Sequence, residues 1–426
     1  MHKTISTIFL AAALAVATAS ARGAEPATAD DTARFLAGLP PGPNSALAPL
    51  AAGPDWKEHA RRFDAMFAQE EKYSLAKIRA FSQRELPDKQ RTMLYMFSGP
   101  DFLYAVSFFP SAATYVLSGL EPVGEVPQLA GLPRGSLDVT LHNLEGSLGS
   151  LMSFSFFITK KMKTQLLDGP AFGTLPILYV FLARTGKTIH AVSYVSLDAE
   201  GNIATPAAAG KTRARAESGA KGVKIVFSDG AGPEQTLYYF STNLADDSVK
   251  NSGFLQFCDK LGTADSLLKS ASYLLHSGGF ARVRNFILAR SATVVEDDSG
   301  IPLAYFDPRK WRLDPYGRYL GPIGEFPSHY QPAMEELYRK GNPPPLDFGI
   351  GYRWKQNESN LLIARKIGPV ADGSVINSIL TTKSESFGPP DIARGPSMPA
   401  RTSSTGSIAP FWSRPYPRLF GPKWSN

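Results

Sequence analysis

The spacing of apolar residues along the chain predicts several amphipathic helices. Trp56, Ala60, Phe63 and Phe67 recur every three or four positions with charged residues between them, which places them on one face of a helix. A second long series with the same spacing runs over residues 137–162. Further segments with helical spacing are 254–261, 267–275, 280–290 and 331–340.

Runs of β-branched and aromatic residues between turn residues predict β-hairpins. Residues 223–228 are expected to pair with 236–242, and residues 115–117 are a shorter strand candidate. The other predicted hairpins pair 177–184 with 188–197, join 292 to 306 through a turn at 298–300, and pair 348–354 with 360–366. Helices and hairpins alternate without a repeated βαβ unit. The pattern therefore predicts an α+β fold of antiparallel β-hairpins interleaved with amphipathic helices.

The N-terminus has the pattern of a secretory signal peptide. Lys3 precedes an apolar run over 5–17, and a small-x-small sequence at 19–21 predicts cleavage that removes residues 1–21. An apolar run of about 13 residues is too short to span a bilayer, which favours cleavage over a membrane anchor. The chain is therefore interpreted as exported, to the periplasm or the extracellular medium, with no transmembrane segment in the mature protein.

Composition divides the rest of the chain into three parts. Residues 22–53 are a Pro/Ala/Gly-rich lead, 54–367 an α+β globular body of one or two domains, and 368–426 a Pro/Ser-rich basic tail expected to be mostly disordered. Candidate binding residues in this tail are Trp412, Arg414, Tyr416, Arg418, Phe420 and Trp424. They favour either a docking peptide for an envelope surface or protein partner, or a strap that packs on its own domain.

The charge and the cysteine content exclude some classes of protein. The formal net charge is +7, but the segment from Gly368 onward holds six basic and three acidic residues, so the basic excess is not concentrated in the body. Nucleic acid is therefore not an expected partner. Cys258 is the only cysteine, which excludes an intramolecular disulfide, and its apolar neighbours favour a small buried side chain over a reactive thiol.

Short motifs do not support a phosphate, dinucleotide or metal site. Two Gly-Lys-Thr triplets, at 186–188 and 210–212, lack the earlier glycine of a phosphate loop. The Gly-Ile-Gly segment at 349–351 lacks the third glycine of a dinucleotide fingerprint and is interpreted as a place of close packing. His142 and Glu145 are the best-spaced metal pair, but they equally fit a helix surface. Neither a metal nor another cofactor is expected.

Four acidic residues beside turns are weak candidates for catalysis. Asp101 ends the sequence Ser-Gly-Pro-Asp, and Glu121 lies in Gly-Leu-Glu-Pro. If these two carboxylates faced each other they could hydrolyse a glycan, a reaction that commonly uses two carboxylates about 5 to 10 Å apart. Asp297 and Asp298 precede a Ser-Gly turn and could act as acid and base or bind a hard cation. All four also fit structural roles in turns, caps or ion pairs.

The sequence contains no catalytic signature that decides between the remaining functional classes. The first hypothesis is an exported soluble protein with a binding or envelope-organisation role, in which the tail is the contact element. The alternative is an envelope hydrolase that acts on a glycan or similar polymer through paired carboxylates. An enzyme requires polar groups that converge in a cleft, whereas a binding protein requires an exposed aromatic or apolar patch.

Overall fold

Ten β-strands form one mixed sheet in the part of the chain that the structure describes. The computed structural model describes residues 25–125, 128–132, 135–154, 173–204 and 219–368, without the side chains of 150–154. The strands are β1 (Thr92–Tyr95), β2 (Thr114–Gly119), β3 (Lys187–Leu197), β4 (Ile203–Ala204), β5 (Lys221–Asp229), β6 (Glu234–Ser241), β7 (Ala264–Leu268), β8 (Ser291–Glu296), β9 (Trp311–Gly317) and β10 (Asn360–Lys366). Their order across the sheet is β4-β3-β5-β6-β2-β1-β7-β8-β10-β9.

Helices pack on both faces of this sheet. They are α1 (Ala29–Leu36), α2 (Ala48–Ala51), α3 (Pro54–Glu70), α4 (Ala76–Glu85), α5 (Phe102–Phe108), α6 (Ser136–Phe154), α7 (Leu175–Arg184), α8 (Asp246–Val249), α9 (Phe254–Lys260), α10 (Ala281–Arg290) and α11 (Pro332–Gly341). A π-helical segment, Glu71–Leu75, joins α3 to α4 without a break.

The five central strands run parallel, whereas the sequence predicted an α+β fold built from antiparallel β-hairpins. β6, β2, β1, β7 and β8 pair in parallel, and antiparallel strands flank them on both sides. Two βαβ units, β1-α5-β2 and β7-α10-β8, supply four of these strands. Every residue of α5 is buried, and a helix without a polar face has no amphipathic period to detect. The fold is mixed α/β.

One predicted hairpin is confirmed and three are wrong. β5 and β6 pair antiparallel across the predicted turn. Residues 177–184 instead belong to α7, which is buried except at Arg184, so the partner of β3 is β5. Residues 300–306 do not form the predicted returning strand after β8. β10 pairs with β8 and β9 rather than with 348–354. The error at α7 has the same cause as at α5, an apolar helix buried on all sides.

Most of the predicted amphipathic helices are confirmed. α3, α9, α10 and α11 lie at the predicted positions, and α6 begins as predicted and is described as far as Phe154. The predicted helix at 267–275 is wrong, because β7 ends at Leu268 and a loop follows. All five residues of β7 are buried, so the strand shows no alternation of polar and apolar side chains. Cys258 is buried in α9, as expected.

The sheet has a separate hydrophobic core on each face. Residues of α1, α3, α4, α5, α6 and α7 contribute to the core on one face, and residues of α9 and α10 to the core on the other. The crossover from β1 to β2 therefore lies on the first face and that from β7 to β8 on the second. The chain winds away from the centre of the sheet in both directions, as in a doubly wound α/β fold.

Part of the N-terminal lead packs into the first core. Part of the Pro/Ala/Gly-rich lead is ordered, since α1 buries Phe35 and Leu36 completely in the first core. The predicted signal peptide and the predicted disordered tail lie outside the described residues, apart from Gly368. None of the described helices is long and apolar enough to cross a membrane.

Candidate functional site at the carboxyl edge of the parallel strands

The loops that follow the parallel strands meet at one edge of the sheet. β1 and β7 are neighbours, but the chain leaves β1 toward α5 on one face and β7 toward α10 on the other. In open α/β sheets, the carboxyl ends of strands whose loops diverge in this way are the usual place of a ligand site. The loop after β1 contains Asp101, and Lys269 directly follows β7.

Asp101 and Lys269 form a buried ion pair at this point. Lys269 Nζ lies 2.8 Å from Asp101 Oδ2, and the lysine and aspartate side chains are 1% and 2% exposed. The Tyr95 hydroxyl donates to the same carboxylate oxygen at 2.9 Å, and the Tyr104 N–H donates to Asp101 Oδ1 at 3.2 Å, so that Asp101 caps α5. Burying two charges costs desolvation energy that their attraction need not offset. The pair is therefore a functional candidate rather than a simple source of stability.

Lys269 lies between a carboxylate and an aromatic ring. Its Nζ is 3.5 Å from the centroid of the Tyr104 ring, which is a cation–π contact. Burial lowers the pKa of Lys269, although the carboxyl groups of Asp101, Asp297 and Glu70 each act in the opposite direction. The buried amine therefore interacts electrostatically with three carboxyl groups, of which Asp101 is in direct contact.

The π-helical segment positions one of these carboxyl groups. The Tyr104 hydroxyl donates to Glu70 Oε1 at 3.0 Å and lies 3.1 Å from Ser74 Oγ. Glu70 is the last residue of α3, and Ser74 belongs to the π-helical segment. Burial raises the pKa of Glu70. Single π turns inside α-helices are frequent at functional sites, and this one brings two polar side chains to the same tyrosine.

Asp297 directly follows β8 and lies at the same edge of the sheet. Its Oδ2 accepts from the Ser270 N–H at 3.1 Å, and its Oδ1 accepts from the Ser299 N–H at 3.0 Å and from the Ser299 hydroxyl. Burial, followed by the charge of Asp298, raises the pKa of Asp297 to about 7. A Cβ on Gly351 would lie 1.8 Å from Asp297 Oδ2. The Gly-Ile-Gly segment therefore permits close packing, as the sequence indicated.

Asp298 and Glu296 have different partners from Asp297. Asp298 Oδ2 accepts from the Tyr273 hydroxyl at 2.6 Å, and its Oδ1 accepts from Asn360 Nδ2 at 2.9 Å. Glu296 Oε2 accepts from the Ile301 N–H at 2.8 Å. Burial raises the pKa of both carboxyl groups. Asp298 thereby anchors the loop after β7 to the first residue of β10.

A cluster of aromatic rings adjoins Asp298. Tyr273, whose hydroxyl binds this aspartate, is buried. The rings that contact Tyr273, with centroid distances of 5.0 to 6.3 Å, are those of His276, Phe326, His329 and Tyr352. These four residues are partly exposed. Burial, followed by the neighbouring His329, lowers the pKa of His276 to about 4, so this imidazole is neutral at pH 7.

Of the predicted catalytic carboxyl groups, Asp101 and Asp297 share an electrostatic partner in Lys269, and Glu121 has a different polar partner. Asp101 and Asp297 are both close enough to Lys269 to influence its pKa. Glu121 is buried after β2, and its carbonyl oxygen accepts from the Tyr239 hydroxyl at 2.9 Å. Within the described residues, no hydrogen bond or ion pair joins Glu121 to Asp101.

The best-spaced metal pair of the sequence lies on α6, and the tail candidates lie outside the described residues. His142 is exposed on α6, and Glu145 accepts from Arg62 Nε at 2.9 Å. Across the described ranges, no three His, Cys, Asp or Glu side chains are grouped to hold a metal ion. The candidates outside the described residues are Trp412, Arg414, Tyr416, Arg418, Phe420 and Trp424.

Sequence reasoning missed Lys269, Glu70 and Tyr104. Lys269 stands in the sequence Ser-Leu-Leu-Lys-Ser, where apolar spacing suggested a helix. A lysine directly after a short apolar run was the signal that could have identified it, since residues after buried parallel strands point to ligand sites. Glu70 is one of several charged residues at the end of a predicted amphipathic helix, and sequence alone does not distinguish a buried carboxyl group there from an exposed one.

Comparison with known proteins finds no matching family model, no significantly similar curated protein and no significantly similar solved structure.

Proposed function

We propose that this protein is an enzyme whose active site is the crevice between the loops after β1 and β7. Asp101 is the base or nucleophile in this proposal, and Asp297 is the proton donor. The observation that carries the proposal is the Asp101–Lys269 ion pair, which is buried where the winding of the sheet reverses. Asp101 accepts from Tyr95 beside this pair, whereas burial favours a protonated Asp297 near neutral pH.

Hydrolysis of a glycan or a similar polar polymer is the reaction class that suits this arrangement best. Such hydrolysis commonly needs one carboxyl group that donates a proton and a second that acts as base or nucleophile. Two carboxyl groups in one crevice with different environments can divide these roles. The proposed pair is Asp101 with Asp297, in place of Asp101 with Glu121.

The proposed enzyme acts outside the cytoplasm. The signal-peptide pattern over residues 1–21 supports an enzyme of the cell envelope or the extracellular medium. A binding or envelope-organisation role through the aromatic and basic tail stays a prediction, because the tail lies outside the described residues.

The proposal is tested by measuring the release of reducing ends from a panel of envelope and extracellular polysaccharides. Asp101→Asn and Asp297→Asn are each expected to lower turnover by about 10²-fold or more, the usual contribution of a general acid or base. Glu121→Gln is the matched control, because it changes a buried carboxyl group outside the proposed pair, and it is expected to retain turnover within a few-fold. Far-UV circular dichroism of each variant checks that the fold is retained.

Two results would overturn the assignment. One is a wild-type protein that releases no reducing ends from any polysaccharide of the panel. The other is an Asp297→Asn variant with wild-type turnover.

A further inference from the structure

The loop after β7 has an unusual backbone. Ser270, Ser272 and Tyr273 have φ angles of 54°, 53° and 54°, in the left-handed region that residues with a Cβ rarely adopt. Such conformations are costly and persist only where surrounding contacts impose them. Three of them within four residues indicate that the observed arrangement of residues 269–273 depends on its contacts.

Contacts from the loop after β8 hold one part of this segment. The Ser270 N–H donates to Asp297 Oδ2 at 3.1 Å, and the Ala271 N–H donates to Ser299 Oγ at 2.8 Å. Both acceptors belong to the acidic loop that carries the proposed proton donor. The conformation of residues 269–273 is therefore coupled directly to the proposed active site.

A single tyrosine hydroxyl also holds the segment. Tyr352 OH donates to the Ser270 carbonyl oxygen at 3.1 Å and lies 2.7 Å from Ser272 Oγ. Tyr352 follows Gly351, the residue that packs against Asp297. One phenolic oxygen therefore joins two of the strained residues to the segment that adjoins the acidic loop.

Two polar groups at the start of the segment are shielded from solvent. Lys269 is 1% exposed, and Ser270 Oγ is buried without a hydrogen-bond partner in the described part of the chain. A buried hydroxyl without a partner costs free energy that a bound polar ligand could recover. A polymer cannot contact Asp101 or Lys269 in the observed arrangement without movement of the chain around them.

We propose that residues 270–273 form a lid beside the Asp101–Lys269 pair and that the Tyr352 hydroxyl is the latch that keeps this lid closed. Opening breaks the two Tyr352 contacts, allows the strained residues to relax and exposes Lys269 together with the Ser270 hydroxyl. Tyr352 is a positioning residue in this scheme and does not take part in the chemistry. The purpose of the lid rests on the proposed function, but its existence can be measured without a substrate.

The test measures how fast Lys269 is acetylated by N-hydroxysuccinimidyl acetate in the full-length folded protein. Peptide mass spectrometry gives the rate relative to Lys57, an exposed lysine, and to Lys187, a buried lysine elsewhere in the sheet. In the wild type, Lys269 is expected to react much more slowly than Lys57. Tyr352→Phe removes the latch and is expected to accelerate Lys269 about tenfold, the effect of losing roughly one net hydrogen bond, without accelerating Lys187.

Tyr330→Phe is the matched control, because it removes an exposed tyrosine hydroxyl that bonds to Glu335, and it is expected to leave the Lys269 rate unchanged. Hydrogen exchange at the amides of Ser270 and Ala271 gives a second measurement and should accelerate in Tyr352→Phe alone. Unchanged acetylation and exchange in Tyr352→Phe would overturn the latch. Wild-type acetylation of Lys269 as fast as that of Lys57 would overturn the lid. Both outcomes are independent of whether any polysaccharide is hydrolysed.

Discussion

A side chain at position 351 would occupy space that the Asp297 carboxylate fills. The Cβ of Gly351→Ala would lie 1.8 Å from Asp297 Oδ2, at a residue whose φ is +65°. Left-handed strain and overpacking together are expected to lower the free energy of unfolding by about 2–5 kcal/mol, measured by urea denaturation. Gly324→Ala is the control, since no atom lies within 4 Å of its Cβ. Equal stabilities of the two variants would contradict the close packing.

Asp297 is expected to give stability a pH dependence of defined sign. Its pKa is about 7 in the folded protein and near 3.8 in an ordinary environment, so the folded state binds the proton more strongly between these values. The stabilisation from this group is complete below about pH 4 and is lost as the pH rises through about 7. His276 acts in the opposite direction, because its pKa is lowered to about 4.

Comparison with Asp297→Asn isolates this contribution. The free energy of unfolding of the wild type minus that of the variant should fall between pH 4 and pH 7, measured by urea denaturation at several pH values. A proton donor is active only when protonated, so wild-type turnover should also fall as the pH rises through about 7. A difference in stability that does not vary with pH would show that Asp297 titrates normally.

The π-helical segment is expected to contribute to stability by setting the positions of Glu70 and Ser74, and not through the exposed side chain of Tyr73. Deleting Tyr73 should convert the π turn into α-helix and separate Glu70 or Ser74 from the Tyr104 hydroxyl. A buried polar group left without its partner costs about 1–3 kcal/mol, so the deletion should lower the free energy of unfolding by this amount and reduce turnover. Tyr73→Ala, at a residue that is 57% exposed, should change stability by less than about 0.5 kcal/mol. Equal effects of deletion and substitution would argue against a role for the register.

Elements with one buried face were predictable from the sequence, and elements buried on all sides were not. α3 and α11 bury only part of their residues, so their apolar residues recur at a recognisable period. α5, α7 and β7 are buried almost throughout, so none of them shows a polar face whose period would distinguish helix from strand. β7 is a central strand and α5 connects the central strands β1 and β2, which is why the parallel topology was missed.

The candidate site was predictable only where turn chemistry marked it. Asp101 and Asp297 stand beside Gly, Pro and Ser residues that signal turns, and the structure places both near Lys269. Asp101 and Asp297 lie at the same edge because β1, β7 and β8 are adjacent in the sheet, although other elements separate these strands in the sequence. Pairing over such distances leaves no local pattern in the sequence.

For the molecule as a whole, the buried ion pair is expected to lower the free energy of unfolding. The proposed function requires this pair in spite of that cost. Lys269→Met alone leaves the buried Asp101 without its cation and should lower the free energy of unfolding by about 3–5 kcal/mol. Adding Asp101→Asn removes the remaining charge while keeping a side chain that can cap α5. The double variant should regain wild-type stability or exceed it, with turnover abolished. Thermal unfolding of the three proteins checks this order, and a double variant no more stable than Lys269→Met would assign the pair a structural role.

One edge of the sheet also limits how the folded chain can associate with other chains. β9 is the outermost strand beside β10 in the described part of the chain, and it contains Pro315 at an interior position. Proline has no N–H to offer to an incoming strand, and proline or charge on an edge strand discourages pairing between sheets. Arg312 and Asp314 add such charges to β9. This edge should therefore resist growth into fibrils even when the folded protein is highly concentrated.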